Sequence, residues 1–250
     1  MTRLSLDGFK NFFRYYTSAT HQEEALEILW QAMPVSLLEE DTAWIVKYRE
    51  APPAPKPEKG PVTPDLMQRF SGHPASSYDE VFCNDFNRLL SITGFDSDLT
   101  AFRMLLAQCA HETGNWKYMK EIGDDAYFTR MYEGRSDLGN CHSGDGARFA
   151  GCGAIMVTGR SNFQDSYNYL QKLEGISDPR FMQDGTPYVS EVYPFRVCTA
   201  WLINNDYLTL CKTGDLMACT KRLNGGLTGL EDRQYWWDKA RATIHQSDLK

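Results

Sequence analysis

The 250-residue chain is 42% hydrophobic and 24% charged, a composition that excludes collagen-like and disordered architectures. Against 33 Asp and Glu stand 26 Lys and Arg, for a net charge of −7, which speaks against a partner held by phosphate neutralisation, so no nucleic acid is expected. No run reaches the roughly 18 apolar residues of a membrane helix, and MTRLSLDGFKNFF lacks the apolar stretch of a secretory signal. The expectation is a protein made in the cytoplasm and not embedded in a membrane.

In chain order, residues 1–50 read as a small helical module: Ala25, Leu26, Leu29 and Trp30 repeat at helical spacing behind Glu23 and Glu24. A second short helix fits Leu37 to Tyr48. About fifty residues make a marginal core alone, so this module is a candidate for docking, on its own partner domain or on another protein. Residues 51–64 carry six of the eleven prolines and read as a semi-rigid, proline-rich linker. Residues 65–250 read as mainly α, with apolar stripes over Ser77 to Ser91, Leu99 to Thr113, Val189 to Leu210 and Leu230 to His245. No stretch alternates with period two. Between the second and third stripes lies a glycine-rich stretch, Gly134 to Gly159, whose backbone freedom suits the wall of a cleft or a set of tight turns.

Seven cysteines without paired spacing point to reduced, mostly structural thiols. CxxC, HExxH and EF-hand spacings are absent, so neither metal nor cofactor is expected. Cys109, Cys141 and Cys152 lie near His111 and His142 in sequence, which leaves a cysteine nucleophile as a rival chemistry, although Cys109 falls on an apolar stripe.

Two carboxylates stand out. Glu112 ends the Leu99 helix beside its apolar face, partly desolvated and at the negative end of the helix dipole, conditions that favour the protonated form a general acid needs. Its bland alternative is a half-buried Glu paired with a cation. Glu133 follows 21 residues later at the mouth of the glycine-rich stretch, where Glu121, Asp124 and Asp125 compete for the role of second carboxylate.

Five ordered motifs then converge: Ala110-His111-Glu112-Thr113-Gly114, Tyr132-Glu133-Gly134-Arg135 continuing to Asn140, Gly144-Asp145-Gly146-Ala147-Arg148-Phe149, Thr158-Gly159-Arg160-Ser161-Asn162-Phe163, and Leu223-Asn224-Gly225-Gly226. Over roughly Phe82 to Ala242 the chain resembles glycoside hydrolase family nineteen, its chitinases and especially its bacteriophage endolysin branch. The resemblance implies a lysozyme-like, two-lobed helical domain with a cleft, and inverting hydrolysis of β-1,4 bonds beside N-acetylglucosamine. It implies Glu112 as general acid and Glu133 as the base that activates water, an inverting pair standing roughly 6.5–9.5 Å apart. It gives Thr158 as a holder of that water, Asn162 and Asn224 as sugar-binding amides, and His111 and Arg233 as a supporting pair around the acid. Arg135 belongs to the same substrate-binding set. Tyr132 and Trp116 are candidate sugar-stacking rings, whereas Trp236 and Trp237, inside a helical stripe, are expected in the core. The family's Gly-Arg-Gly, apolar pair and Gln becomes Gly151-Cys152-Gly153-Ala154-Ile155-Met156, which puts a thioether where an amide would bond sugar.

The expected partner is peptidoglycan or a related N-acetylglucosamine glycan, and residues 1–50 would then be a docking or wall-targeting element. Reaching it without a signal peptide requires a holin-like membrane-permeabilising partner or carriage on a phage particle. The competing expectations are a non-catalytic wall-binding or virion structural protein on the same scaffold, and a cysteine-dependent wall amidase or peptidase.

Overall fold

The chain divides into two compact units, Met1–Lys56 and Pro57–Lys250. The computed structural model describes residues 59–249. The helices expected within 1–50 and linker residues 51–58 lie outside the described residues.

The described part is mainly α and lysozyme-like, with no strand among the described residues beyond isolated bridges joining Lys120 to Cys152 and Cys152 to Val157. In chain order the helices are α1 Pro64–Ser71, α2 Glu80–Thr93, α3 Leu99–Glu112, α4 Asp125–Tyr132, α5 Asp145–Arg148, α6 Arg160–Glu174, α7 Arg180–Gln183, α8 Thr186–Val192, α9 Thr199–Asn204, α10 Tyr207–Lys212, α11 Leu216–Asn224 and α12 Leu230–Thr243. Their starts carry the expected chemistry: Thr63, Asp79, Asp98, Asp124 and Asp215 each accept a backbone N–H of the first turn.

Helix α3 is the axis of the core. Its residues from Ala101 to Ala110 are buried except Arg103, and α12 packs along it, with α10 and α11 beside them. Trp236 and Trp237 of α12 are buried there, as their helical stripe implied. The last part of the proline-rich segment joins this core instead of standing off as a spacer. Val62 is buried and exchanges two hydrogen bonds with the Asn87 side chain, at 2.9 and 2.8 Å.

Two readings of the helical pattern change. The stripe from Val189 to Leu210 is one run in sequence but becomes α8, a 3-10 turn at Arg196–Cys198, α9 and α10. Pro194 lacks the N–H that a continuing helix needs, and its carbonyl accepts Ala154 N–H at 2.9 Å instead. Helix α6, absent from the stripes read in sequence, is polar overall, with Phe163, Ser166 and Leu170 its buried residues among fifteen.

Candidate active site

The C-terminus of α3 and the N-terminus of α12 meet through two consecutive residues from each. His111 Nδ1 lies 2.7 Å from Asp232 Oδ2, and the Glu112 Oε1 oxygen accepts Arg233 Nη2–H. Arg233 is 1% exposed and Glu112 18% in their side chains, so this ion pair is largely shielded from water. Arg233 also donates to the Gln108 side-chain oxygen and, at 3.4 Å, to the Thr228 carbonyl. Gln108 in turn donates to Thr220 Oγ1 of α11 at 3.3 Å. The helical wheel placed Glu112 beside the apolar face, and the structure adds the buried cation that makes a charged group tolerable there. Gly229 completes the arrangement: a Cβ on it would fall 2.1 Å from His111 Cε1 and 2.3 Å from Nε2, so glycine lets the ring pack against the backbone.

After Glu112 the chain makes an unusual strap. Gly114, Asn115 and Trp116 all have positive φ, at 57°, 61° and 69°, a conformation that non-glycine residues adopt at a cost of about 1–2 kcal/mol each. Thr113 holds the strap, donating to the Cys109 carbonyl at 2.7 Å and accepting Trp116 N–H at 2.8 Å. Trp116 is therefore not a sugar platform. It is 9% exposed, packed among Phe70, Phe82, Phe86 and Phe195, and the burial of that aromatic cluster holds the strained turn in place.

The second carboxylate presents two geometries. Glu133 caps α5: its two oxygens accept Gly144 and Gly146 N–H, both at 2.7 Å. The cap is reinforced by buried Asp145, which pairs with Arg160 through bonds of 2.8 and 2.5 Å and accepts His142 N–H at 3.0 Å. Burial works against the charge on Asp145, but these partners hold its carboxyl below the usual carboxylate range. Both Glu133 oxygens are thus committed to backbone, as in a structural cap. Glu121 accepts the Tyr132 hydroxyl at 2.9 Å on both oxygens and Gly151 N–H at 3.1 Å. A Cβ at Gly151 would touch both Glu121 Oε2, at 3.0 Å, and the Met156 Cβ, at 3.6 Å, so Glu121 borders the turn bearing Met156. Tyr132 is correspondingly tied down. Burial, then its bond to Glu121, push its hydroxyl well above the ordinary phenol range, and its ring stacks on Phe128. Asp124 caps α4, and Asp125 sits exposed in its first turn.

Residues Cys152 and Val157 exchange backbone hydrogen bonds of 3.0 and 2.7 Å, closing a tight loop in which Met156 takes φ 53°. The loop forms one wall of a recess of about 180 Å³ lined by Leu138, Ile155, Met156, Val157, Thr158, Asn162, Trp201 and Leu223. Thr158 donates to the Met156 carbonyl at 3.1 Å, and Asn162 Nδ2 donates to the Thr158 carbonyl at 2.7 Å. Leu223, adjacent to exposed Asn224 at the end of α11, lies on the same recess, so the Thr158, Asn162 and Asn224 motifs meet around it. The Arg135 side chain is engaged outside this group. It makes a two-pronged surface pair with Asp137, at 2.8 and 2.6 Å.

No family model matches the chain. A glycosyl hydrolase family 19 domain-containing protein of Haemophilus influenzae is 27% identical over 157 residues, spanning 52% of this chain and 73% of that protein. The crystal structure of a chitinase C mutant superimposes with a TM-score of 0.53 at 14% identity, covering 76% of this chain and 94% of that one. The chain resembles family 19 glycosyl hydrolases and has the chitinase fold.

On this chitinase-like scaffold the thiols are core groups. Burial pushes Cys109 and Cys152 well above the usual thiol range, Cys83 to about 11 and Cys198 to about 12, so none of these is a ready thiolate. Cys141 is the exposed cysteine. Among the described residues no group of three or more His, Cys, Asp or Glu is placed to hold a metal, and no helix is long and apolar enough to cross a membrane.

The residues that spacing missed are Asp232, Gln108 and Gly229. Asp232 and Gly229 act on the His111-Glu112 pair from a distance in sequence, and Gln108, one turn earlier on α3, acts through the distant Arg233. The one available signal was that Asp232 adjoins Arg233 as His111 adjoins Glu112.

Proposed function

We propose that the protein is a glycoside hydrolase that cuts β-1,4 bonds beside N-acetylglucosamine in bacterial peptidoglycan, in the manner of a phage endolysin. The observation that carries the reading is the placement of Glu112 at the end of α3: one oxygen is held by the buried Arg233 guanidinium, a pairing that a purely structural Glu would also make, and the other is left to carry a proton to a leaving group. Glu112 protonates the glycosidic oxygen as the bond to the anomeric carbon breaks. A second carboxylate takes a proton from water attacking the opposite face, which inverts the anomeric centre. We assign that role to Glu121 in preference to Glu133: both carboxylates are hydrogen-bonded, Glu121 by Tyr132 and Gly151 and Glu133 by Gly144 and Gly146, but Glu121 borders the Met156 turn beside the recess with Thr158, whereas Glu133 caps α5. Thr158 and Asn162 then orient water and sugar at the recess, with Asn224 at its edge. The enzyme reaches the wall through a holin-like permeabilising partner or on a phage particle.

Purified peptidoglycan and chitin oligosaccharides, assayed for new reducing ends, test this. Glu112→Gln and Glu121→Gln should each remove turnover, whereas Glu133→Gln should lose stability first and retain turnover while folded. Turnover lost in Glu133→Gln at unchanged melting temperature, with Glu121→Gln active, would return the base role to Glu133. A wild type that releases no reducing ends but binds walls would favour the second reading, a non-catalytic wall-binding protein. The feature favouring that reading is Met156 in the recess, which offers sugar hydroxyls no amide. Activity abolished by alkylation of Cys141, with release of free amines, would favour a cysteine amidase.

A further inference from the structure

Gln108 is fully buried on α3, within a run of buried residues from Met104 to Ala110, and the residues it bonds, Thr220 and Arg233, are 0% and 1% exposed. A buried amide at such a position is costly unless every one of its partners is present. Here they are: its oxygen accepts Arg233 Nη1–H, and its nitrogen donates to Thr220 Oγ1, with Met104 Sδ at 3.9 Å as a weaker second acceptor. The guanidinium therefore stands between Gln108 and Glu112, one turn apart on the same face of α3, with a different nitrogen on each.

We infer that Gln108 is a positioning residue for Glu112: anchored on Thr220, it holds the Arg233 guanidinium so that Nη2 binds Oε1 and leaves Oε2 to the substrate. The inference rests on the glycosidase reading above. The identity of the residue matters as much as its reach. A neutral amide orients the guanidinium and leaves its charge for Glu112, whereas a carboxylate at 108 would compete for that charge and draw the group along the helix. The path Glu112, Arg233, Gln108, Thr220 also ends on α11, one turn before Asn224, so the acid and the Asn224 end of the recess share one support.

Three variants test the assignment in kcat, KM and melting temperature on wall glycan. Gln108→Glu keeps an acceptor for Arg233, and the Thr220 hydroxyl can turn to donate to it, so a merely structural Gln108 would tolerate the change. The positioning role instead expects kcat to fall about ten- to hundredfold with KM within about twofold, a loss out of proportion to any fall in melting temperature. Gln108→Met, which removes the acceptor, should show the same split, and Thr220→Val, which loosens only the far anchor, a smaller fall in kcat. If Gln108→Met does not fold, the other two still decide. Wild-type kcat in Gln108→Glu, or kcat lost only in step with melting temperature, overturns the inference. A wild type without any turnover removes the glycosidase reading itself, and this assignment with it.

Discussion

Replacing Arg233 by Met keeps an unbranched side chain in the core while deleting the cation that three groups share. The largest part of the cost comes from Glu112, whose carboxylate would remain 18% exposed without its partner. Breaking a buried pair from one side costs about 3–5 kcal/mol, and the residual exposure of Glu112 puts this case near about 3 kcal/mol. The Gln108 oxygen, left without its donor, adds about 1 kcal/mol. For a domain of this size about 4 kcal/mol corresponds to a melting temperature lower by roughly 8–16 °C. The double variant Arg233→Met with Glu112→Gln removes both charges, so it should recover about 2 kcal/mol relative to the sum of the single changes. Thermal unfolding of all four proteins, followed by circular dichroism, closes the cycle. A single Arg233→Met variant melting within 2 °C of wild type, or strictly additive changes, would refute the idea that this guanidinium supports the acid.

Further outcomes follow from other parts of the site. Gly229→Ala should destabilise by about 2 kcal/mol or more, because φ is +73° and the new Cβ would overlap the His111 ring, whereas Gly226→Ala, with open space around it, should melt within about 0.5 kcal/mol of wild type. The depressed Asp145 carboxyl contributes stability that is present above about pH 4 and is lost as pH falls toward its lower folded value. Denaturant titrations between pH 6 and pH 2.5 should therefore fall more steeply for wild type than for Asp145→Asn, and parallel curves would contradict the Arg160 pairing. Brief treatment of the native protein with iodoacetamide should label Cys141 and leave the six buried thiols unmodified, as read by peptide mass spectrometry.

Much of this site was legible in the sequence because its parts are local. Glu112 at the end of a strongly apolar helix, the glycine-rich turns, and the core placement of Trp236 and Trp237 all follow from spacing along one element. What spacing cannot carry is the partner brought from elsewhere. Trp116 follows a helix end and has the composition of a sugar platform, yet its neighbours Phe70 and Phe195 lie 46 and 79 positions away and draw it into the core. The choice between Glu121 and Glu133 likewise turns on Gly144, Gly146 and Gly151, whose amides reach the two carboxylates through loops. Helix α6 escaped for the opposite reason. Its polar composition leaves only a thin apolar stripe, and tertiary packing supplies what the pattern lacks.

The pairing of α3 with α12 has a consequence for the timing of synthesis. Arg233 lies 121 residues downstream of Glu112. On the ribosome the α3 helix and its carboxyl emerge long before the cation that will hold them, and contacts of such sequence separation form late in folding. A nascent or prematurely terminated chain lacking α12 thus carries Glu112 without its counterion, and the acid is assembled only as the end of the domain docks.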